Sequence, residues 1–526
     1  MLNRNMRKIN IALLFLVSNT IFFIILATLL PLQYETTDDV FMCLLANGKI
    51  TGSPEFHLVY INSIFGLYLS LLYNTFSGVE WYTITFCVLH VISMAYISYC
   101  LYFSKRKTLL KVTLLLLFYV LWARIIISFQ FTTTAGLLAF AGCLALTRET
   151  NKHFIIGAIY LLIASMIRFQ AAGLVGIMML PLFIQKITNK LFLFKMAGLL
   201  SLICGCYLLN IVTYSNDNWK YYYEYNKARG RCNDNPNAYL AFDCLPKGIS
   251  QNDFQHLLNF NPDPNVIDLH SIKEIEEIIK NKAEERGLRC LKNLSVFPGM
   301  KFPPYVPLIM LTLLYVISIV YAPSKRDRAY LLWTIFAFFA VITFLGCFFI
   351  IKDRVLLCMI MPAFYIAASI TNERINAISI VLISTMLLFA KQTLDQCKDN
   401  HEWNSDLQTY FWPLLNNNSD RLIWPCYGID SFNPFCYFDM PYEIIDGSSM
   451  RYPSNKNYLK SYIDILQKKP LFIEKNNSKN GSSTSAITDI IQGIQEHYGM
   501  EARPRVVQQN KKYKAVEIIL CDKITQ

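Results

Sequence analysis

The chain has 526 residues, of which 54% are hydrophobic and only 16% are charged, and its mean hydropathy is +0.33. Soluble globular chains carry about 25% charged residues, so the composition excludes an ordinary soluble protein. The net charge of +12 comes from basic residues that cluster between apolar blocks. That placement indicates membrane topology and argues against a nucleic-acid partner.

The apolar blocks predict a polytopic α-helical membrane protein with about eleven transmembrane helices. Each block has roughly the 17 to 25 residues that a helix needs to cross the hydrocarbon core. The first block follows basic residues and has no cleavage site behind it, so we interpret it as a retained helix. The predicted spans are 9–32, 81–103, 108–127, 129–146, 154–168, 169–185, 192–214, 304–322, 329–351, 355–370 and 376–391.

The distribution of Lys and Arg predicts the topology. With the N-terminus in the cytoplasm, most short basic loops, such as 105–107 and 325–328, fall on the cytoplasmic side. This requires the tyrosine-rich segment 57–76 to lie on the outer surface as an interfacial helix, because a crossing there would invert every later loop. A bacterial cytoplasmic (inner) membrane location, with an extracytoplasmic C-terminus, is therefore expected.

The spans divide the chain into a membrane domain, 1–391, and an extracytoplasmic α+β domain, 392–526. Within the membrane domain, 33–80 forms the first outer loop and 215–303 forms a large outer loop. Helix-favouring charged sequence is present at 271–286. In the C-terminal domain we predict a strand at 470–474, a linker at 477–485, a helix at 486–498 and a hairpin turning at 509–512.

Two adjacent carboxylates, Asp38 and Asp39, follow the first span in the sequence TTDDV. Acids this close to a bilayer are costly and usually either carry function or face water. The predicted topology brings further polar residues to the same outer face. They are Glu55, His57, Arg124, Arg168, Lys352 and Arg354.

These residue types suit transfer of a sugar from a lipid phosphate. A carboxylate can take the proton of the attacking acceptor hydroxyl. Arginine binds phosphate through bidentate, charge-assisted hydrogen bonds and stabilises the charge that develops on a leaving phosphate. No G-x-G-x-x-G, P-loop or nucleophile-elbow motif is present, which favours a donor carried by lipid over one carried by nucleotide.

The order of these features resembles the GT-C superfamily of integral-membrane glycosyltransferases. That group includes protein O-mannosyltransferases, lipid A aminoarabinose transferases and oligosaccharyltransferase catalytic subunits. The matching features are TTDDV after the first span, an amphipathic juxtamembrane segment, and DRVLLCMIMPAF with Arg354 and Pro362. The segment DDVFMCLLANGKITGSPEFHLVYINSIFGLYLSLLY also resembles membrane proteins of low-GC anaerobic bacteria.

The resemblance implies that Asp38 or Asp39 is the general base and that Arg354 binds the donor phosphate. Asp38 is favoured because the first acid of the pair takes that role in the resembling enzymes. The implied donor is a polyprenyl-phosphate-linked sugar, and the acceptor is a glycan, a lipid or a protein. The chain has a DD pair where the eukaryotic-type pattern has DE or ED, and it lacks a WWD-like signature. Those departures argue against peptide N-glycosylation.

No cofactor is assigned from the sequence, since no CxxC or HExxH spacing is present. A divalent cation, Mg or Mn, beside the carboxylates stays open because oxygen-ligand sites have no fixed spacing. Two other classes of function stay open as well. One is a polysaccharide polymerase or ligase, and the other is a non-enzymatic transporter of lipid-linked glycans, whose polar residues would lie near the bilayer midplane.

Overall fold

The structure is a computed structural model. It describes residues 2–184, 186–259, 261–285, 305–370, 375–426, 433–436, 443–444, 451–456, 458–476 and 486–521. The predicted linker 477–485 lies outside the described residues. The described chain is mostly helical, with one short two-stranded pairing and one four-stranded sheet.

Seven helices of the described chain are long and apolar enough to cross a membrane. This confirms an α-helical membrane architecture, and the number of eleven spans stays a prediction. The main helices of the membrane half are α1 (Leu2–Leu29), α4 (Trp81–Tyr102), α5 (Thr108–Ile127), α6 (Phe131–Leu146), α7 (Asn151–Ile184), α8 (Lys190–Thr213), α12 (Tyr305–Val320), α13 (Lys325–Phe348), α14 (Asp353–Ile370) and α15 (Ile375–Asp406).

Helix α7 is a hairpin of two helical halves that reverses at Arg168. The backbone of Arg168 is non-helical, with φ −154° and ψ 97°. The ring of Phe192 in α8 lies 6.3 Å from that of Phe154 and 6.5 Å from that of Phe183. Phe154 and Phe183 lie near opposite ends of α7, and a straight helix with a rise of about 1.5 Å per residue would hold them far apart. The predicted spans 154–168 and 169–185 therefore correspond to two antiparallel halves, with Arg168 at the turn.

Helix α6 occupies the centre of the bundle, and every one of its residues is buried. It packs against α7 where two glycines meet, since a Cβ atom on Gly157 would lie 2.8 Å from the carbonyl oxygen of Gly142. On another face, a Cβ on Gly136 would lie 2.5 Å from Sγ of Cys358 in α14. Small residues thus allow close backbone approach on two sides of one helix, as is common in membrane bundles.

The segment after α1 returns to the end of the bundle through a short parallel pairing. Strand β1 (Gln33–Tyr34) pairs with β2 (Ser128–Phe129), which joins α5 to α6. Helix α2 (Thr37–Ala46) follows at once. Within the segment 57–76 a helix is observed as α3 (Ser63–Thr75), and its position at the outer surface of the membrane stays a prediction. The helix begins later than predicted because the side chain of Asn62 accepts a hydrogen bond from the amide of Ile64 at 3.0 Å.

The large loop 215–303 contains three helices, which are α9 (Asp217–Asn233), α10 (Gln251–Leu258) and α11 (Leu269–Glu285). The helix predicted at 271–286 is α11. Ser250 and Asp253 form a capping box at the start of α10, in which the side chain of each accepts a hydrogen bond from the backbone amide of the other. Apolar side chains from all three helices form a core of their own.

The C-terminal part of the chain builds a four-stranded sheet from β3 (Ile423–Pro425), β4 (Leu471–Lys475), β5 (Glu501–Gln509) and β6 (Tyr513–Cys521). The order of the strands in the sheet is β3-β4-β6-β5. Strand β3 is parallel to β4, and the other neighbours are antiparallel. Helix α15 continues through residue 392 to Asp406, so the predicted domain boundary falls inside a helix. The predicted strand, helix and hairpin are all observed. This part also contains α16 (Trp412–Asn416), α17 (Tyr462–Gln467) and α18 (Ala486–Tyr498).

The C-terminal part packs directly on the large loop. Atom Nε2 of His497 in α18 lies 2.7 Å from Oδ2 of Asp253 in α10, and the hydroxyl of Tyr498 donates to Asp263 at 2.9 Å. The hydroxyl of Tyr452 donates to the backbone carbonyl of His57 in the first loop. The two regions predicted to lie outside the membrane are therefore in contact with each other and with the first loop.

Candidate active site

The acidic pair lies in the first turn of α2, where a negative charge interacts favourably with the helix dipole. The β1–β2 pairing holds this turn beside the start of α6, because the amide of Glu35 donates to the carbonyl of Phe129 at 3.0 Å. Adjacent residues of a helix point in different directions. Asp38 is about one-third exposed, whereas Asp39 is 1% exposed.

Asp39 points into the protein. Its Oδ1 accepts hydrogen bonds from the hydroxyl of Tyr82 at 3.0 Å and from the amide of Phe131, the first residue of α6, at 3.1 Å. Burial, together with the charge of Asp38, raises the pKa of Asp39 well above its ordinary range. Asp39 thus links α2 to α4 and α6 and is poorly suited to hold a negative charge.

Asp38 lies beside the guanidinium of Arg354, at the start of α14. Atom Nη2 of Arg354 is 3.9 Å from Oδ2 of Asp38, and Nη1 is 3.9 Å from Oε1 of Glu35. Both distances exceed the roughly 3.2 Å limit of a good N–H···O hydrogen bond. Arg354 is therefore held between two carboxylates by charge, and neither carboxylate binds its planar fork in bidentate fashion.

Arg168, at the turn of the α7 hairpin, belongs to the same cluster. It interacts electrostatically with Arg354, Asp38 and Tyr60. Its guanidinium carbon lies 5.5 Å from the ring centre of Phe131 and 6.0 Å from that of Tyr60. The break in α7 also leaves the carbonyl of Met166 to accept a hydrogen bond from the amide of Asn62 at 2.8 Å, which ties the turn to the first loop.

A further arginine reaches the cluster from α9. Arg229 is 4% exposed, donates to Asn226 at 2.5 Å and to the hydroxyl of Tyr60 at 3.4 Å, and interacts electrostatically with Asp38. Burial, followed by the charge of Asp38, raises the pKa of Tyr60, so its phenol stays neutral. The sequence reasoning missed Arg229, although the helical spacing of Tyr222, Tyr225 and Arg229 indicates one buried face.

Two predicted site residues have other partners. Arg124 is buried at the end of α5, where it donates to Ser128 at 2.9 Å and lies 4.0 Å from the carboxylate of Asp353. Lys352 forms a 2.8 Å ion pair with Asp234, directly after α9. Arg124 thus lies behind the cluster, and Lys352 connects α14 to the large loop.

His57 and Glu55 bind each other, and His57 also contacts α8 and α9. Atom Nδ1 of His57 is 2.8 Å from the Glu55 carboxylate, Nε2 is 3.2 Å from the carbonyl oxygen of Thr213, and the ring stacks on Trp219 at 4.0 Å. Burial disfavours the charged form of Glu55, but hydrogen bonds from His57 lower its pKa overall. These contacts favour a role in holding the first loop against α8 and α9.

A second buried carboxyl group lies behind Asp39. Glu80 is 4% exposed and accepts hydrogen bonds from Tyr73 and from the thiol of Cys43, the latter at 3.1 Å. The Tyr73 hydroxyl in turn accepts from the amide of Tyr82 at 2.9 Å. Burial raises the pKa of Glu80 from 4.5 to about 7. Sequence spacing gave no sign of this network, since its members come from three separate segments.

A group of side chains with possible metal ligands lies elsewhere, on α10 and α18. Asp253, Glu496 and His497 each offer one ligand atom, and these atoms lie within 4.8 Å of one another. Each of the three also has a protein partner. The hydroxyl of Ser250 donates to Glu496 at 2.8 Å, and the amide of Ser250 donates to Asp253 at 2.8 Å. His497 contacts Asp253, as described above. The group therefore serves as a hydrogen-bonded joint between the large loop and the C-terminal part.

Comparisons with known proteins add a likeness to a solved structure. No protein-family model matches the chain, and no curated protein matches it significantly. Among solved structures, the chain is similar to the crystal structure of ArnT from Cupriavidus metallidurans in the apo state, at 10% identity and a TM-score of 0.42, over 96% of this chain and 97% of that chain.

Proposed function

We propose that the protein is a membrane glycosyltransferase of the GT-C type. It moves a sugar from a polyprenyl-phosphate donor to a glycan, lipid or protein acceptor at the outer face of a bacterial cytoplasmic membrane. The observation that carries the proposal is the position of Arg354. Its guanidinium lies 3.9 Å from both Asp38 and Glu35, with Arg168 in the same cluster.

In this mechanism Asp38 is the general base. Its carboxylate takes the proton of the acceptor hydroxyl while the hydroxyl oxygen bonds to the anomeric carbon of the sugar. The bond from that carbon to the phosphate oxygen breaks, and its electron pair stays on the departing polyprenyl phosphate. Asp39 positions α2 and does not take the proton, since it is buried and its Oδ1 already accepts hydrogen bonds from Tyr82 and from the amide of Phe131.

Arg354 and Arg168 bind the donor phosphate and stabilise the charge it gains on departure. Arg354 suits this role because its planar fork keeps donors available while two carboxylates neutralise its charge in the resting site. Arg229 adds positive charge near Asp38 from α9. Arg124 supports the cluster from behind, and Lys352, His57 and Glu55 hold the surrounding loops.

The position of the cluster supports an enzyme over a carrier. Arg168 lies at the turn of the α7 hairpin and Arg354 lies in the first turn of α14, so both occupy helix ends. Substrate sites of secondary transporters lie instead near the bilayer midplane. In the predicted topology these helix ends lie at the outer face, so the proposed reaction takes place beside the headgroups, where a lipid phosphate resides.

Whether sugar transfer depends on Mg²⁺ or Mn²⁺ is a separate question. Glu35 and Asp38 offer the oxygen ligands that hard cations prefer, but Arg354 already supplies positive charge between them. We propose that transfer does not require a cation, and we expect the rate to be unchanged in EDTA. Loss of transfer in EDTA, with recovery on adding Mg²⁺ or Mn²⁺, would assign a cation to these carboxylates.

The test of function uses the full chain reconstituted in vesicles with a panel of synthetic polyprenyl-phosphate hexoses and pentoses. Mass spectrometry follows conversion of each donor to free polyprenyl phosphate in the presence of a membrane extract as acceptor source. We expect at least one donor to be consumed by the wild type and spared by Asp38→Asn. A matched control, Asp217→Asn, alters an exposed acid of α9 and should behave as the wild type. Equal consumption by all three proteins would refute the proposal.

A further inference from the structure

A groove of about 500 Å³ lies on the side of α9 away from the candidate active site. Its walls come from the outer end of α8, from one stripe of α9 and from α11. We call it the basic groove and define it by Tyr214, Lys220, Lys227, Arg231 and Lys273. Arg229, two residues before Arg231, faces Tyr60 instead, so the helix separates the two places.

The groove carries more positive than negative charge. Two of its cations form 2.8 Å ion pairs between α9 and α11, which are Arg231 with Glu276 and Lys273 with Glu224. Lys220 and Lys227 are exposed, flank Glu224 on the same stripe, and make no ion pair with another described residue. With both acids already paired, two ammonium groups are left to attract an anion.

The wall of the groove on α8 is formed by Asn210 and Ile211, and an apolar face of α8 continues from Ile211 into the predicted membrane span. Ile211 lines the groove and is 46% exposed. Leu208 and Val212 on the same helix are 60% and 63% exposed. Exposed apolar side chains on a spanning helix contact acyl chains, and α8 ends at Thr213 beside the two lysines. In the predicted topology the lysines therefore lie at the level of the lipid headgroups.

We propose that the basic groove binds the phosphate headgroup of an anionic membrane lipid, with Lys220 and Lys227 on the phosphate and the acyl chains along α8. Free phosphate would meet the same ammonium groups but would gain nothing from the apolar wall. The binding is independent of sugar transfer. Its consequence is that α9, which carries Arg229 to the candidate active site, is anchored at the membrane surface.

The test is native mass spectrometry of the full chain, purified in detergent and titrated with phosphatidylglycerol or with phosphatidylcholine of the same acyl chains. We expect the wild type to prefer phosphatidylglycerol. The double variant Lys220→Gln/Lys227→Gln should bind it about thirtyfold more weakly, since each basic residue near an anionic surface contributes on the order of 1 kcal/mol. Lys468→Gln/Lys511→Gln, which removes two exposed lysines from the C-terminal part, should bind as the wild type does.

Two further measurements separate charge from folding and lipid from free phosphate. Lys220→Arg/Lys227→Arg keeps both charges and should retain phosphatidylglycerol binding. Inorganic phosphate titrated without lipid should bind the wild type no more tightly than it binds the Lys220→Gln/Lys227→Gln variant. Unchanged phosphatidylglycerol affinity in the Gln variant would overturn the proposal. The proposal would also be overturned if the Gln variant lost binding of inorganic phosphate but kept binding of phosphatidylglycerol.

Discussion

Oδ2 of Asp38 lies 3.9 Å from Nη2 of Arg354, so the first loop after α1 meets the first turn of α14 at the end of the bundle. The sequence neighbour of Asp38 instead faces Tyr82 and the amide of Phe131. The two acids of one dipeptide thus have different surroundings, and we expect different consequences when each is replaced.

Replacement of the exposed acid should remove catalysis and preserve the fold. Asp38→Asn keeps the shape of the side chain but cannot accept the proton, and general-base catalysis contributes roughly 10²–10⁴-fold. We expect turnover of the donor to fall by that factor while the melting temperature stays unchanged. Wild-type turnover in Asp38→Asn would remove Asp38 from the mechanism.

Replacement of the buried acid should affect folding. Asp39→Ala leaves the amide of Phe131 and the hydroxyl of Tyr82 without their acceptor, at a cost of about 1–3 kcal/mol for each unsatisfied group. We expect a lower melting temperature in detergent. Asp39→Asn retains an acceptor oxygen and a neutral side chain, so it should melt close to the wild type. Equal melting of the Ala and wild-type proteins would contradict the bridging role.

The guanidinium shape of Arg354 should matter beyond its charge. Arg354→Lys retains one positive charge but loses the planar fork that binds phosphate bidentately. We expect a higher apparent KM for the polyprenyl-phosphate donor and lower turnover. The matched control is Arg326→Lys, at an exposed position near the start of α13, which should leave both kinetic constants unchanged.

Stability should fall as pH rises from about 4.5 to about 7, because burial raises the pKa of Glu80 in the folded protein. Its folded pKa of about 7 lies above the ordinary 4.5, so its stabilising contribution is complete below about pH 4.5 and is lost on the way to pH 7. The shift corresponds to at most roughly 3 kcal/mol. Melting temperatures of the wild type and Glu80→Gln, measured between pH 5 and 8, should show a smaller pH dependence in the variant. Parallel curves would argue against this assignment.

Close packing at the Gly157–Gly142 contact should make a side chain costly there. In Gly157→Val the new Cβ would lie 2.8 Å from the carbonyl oxygen of Gly142, and overpacking of this kind costs roughly 1–3 kcal/mol. We expect a clear fall in melting temperature. Gly173→Val is the control in the other half of α7, because a Cβ at that position meets nothing within 4 Å.

Local patterns in the sequence predicted much of the fold. Apolar blocks located the long helices, and the turn residues before Tyr513 located the C-terminal hairpin, because both signals depend on neighbours in the chain. The acidic pair stood out because acids beside an apolar span are costly, and Arg354 stood out because DRVLLCMIMPAF resembles a GT-C pattern. Glu80 binds Tyr73 and Cys43 through tertiary contacts. Arg229 reaches Tyr60 in the same way. No short sequence pattern predicts contacts of this kind.

The reversal at Arg168 has a consequence for how the chain enters the membrane during synthesis. Each half of α7 is close to the minimum length of a span, and no polar loop separates them, so we expect the two halves to be inserted together. In the predicted topology Arg168 leads that insertion and traverses the hydrocarbon layer, where an arginine costs about 2.5–3.5 kcal/mol on translocon-derived scales. The cost is transient, since on arrival the arginine meets Asp38 and the aromatic rings of Phe131 and Tyr60.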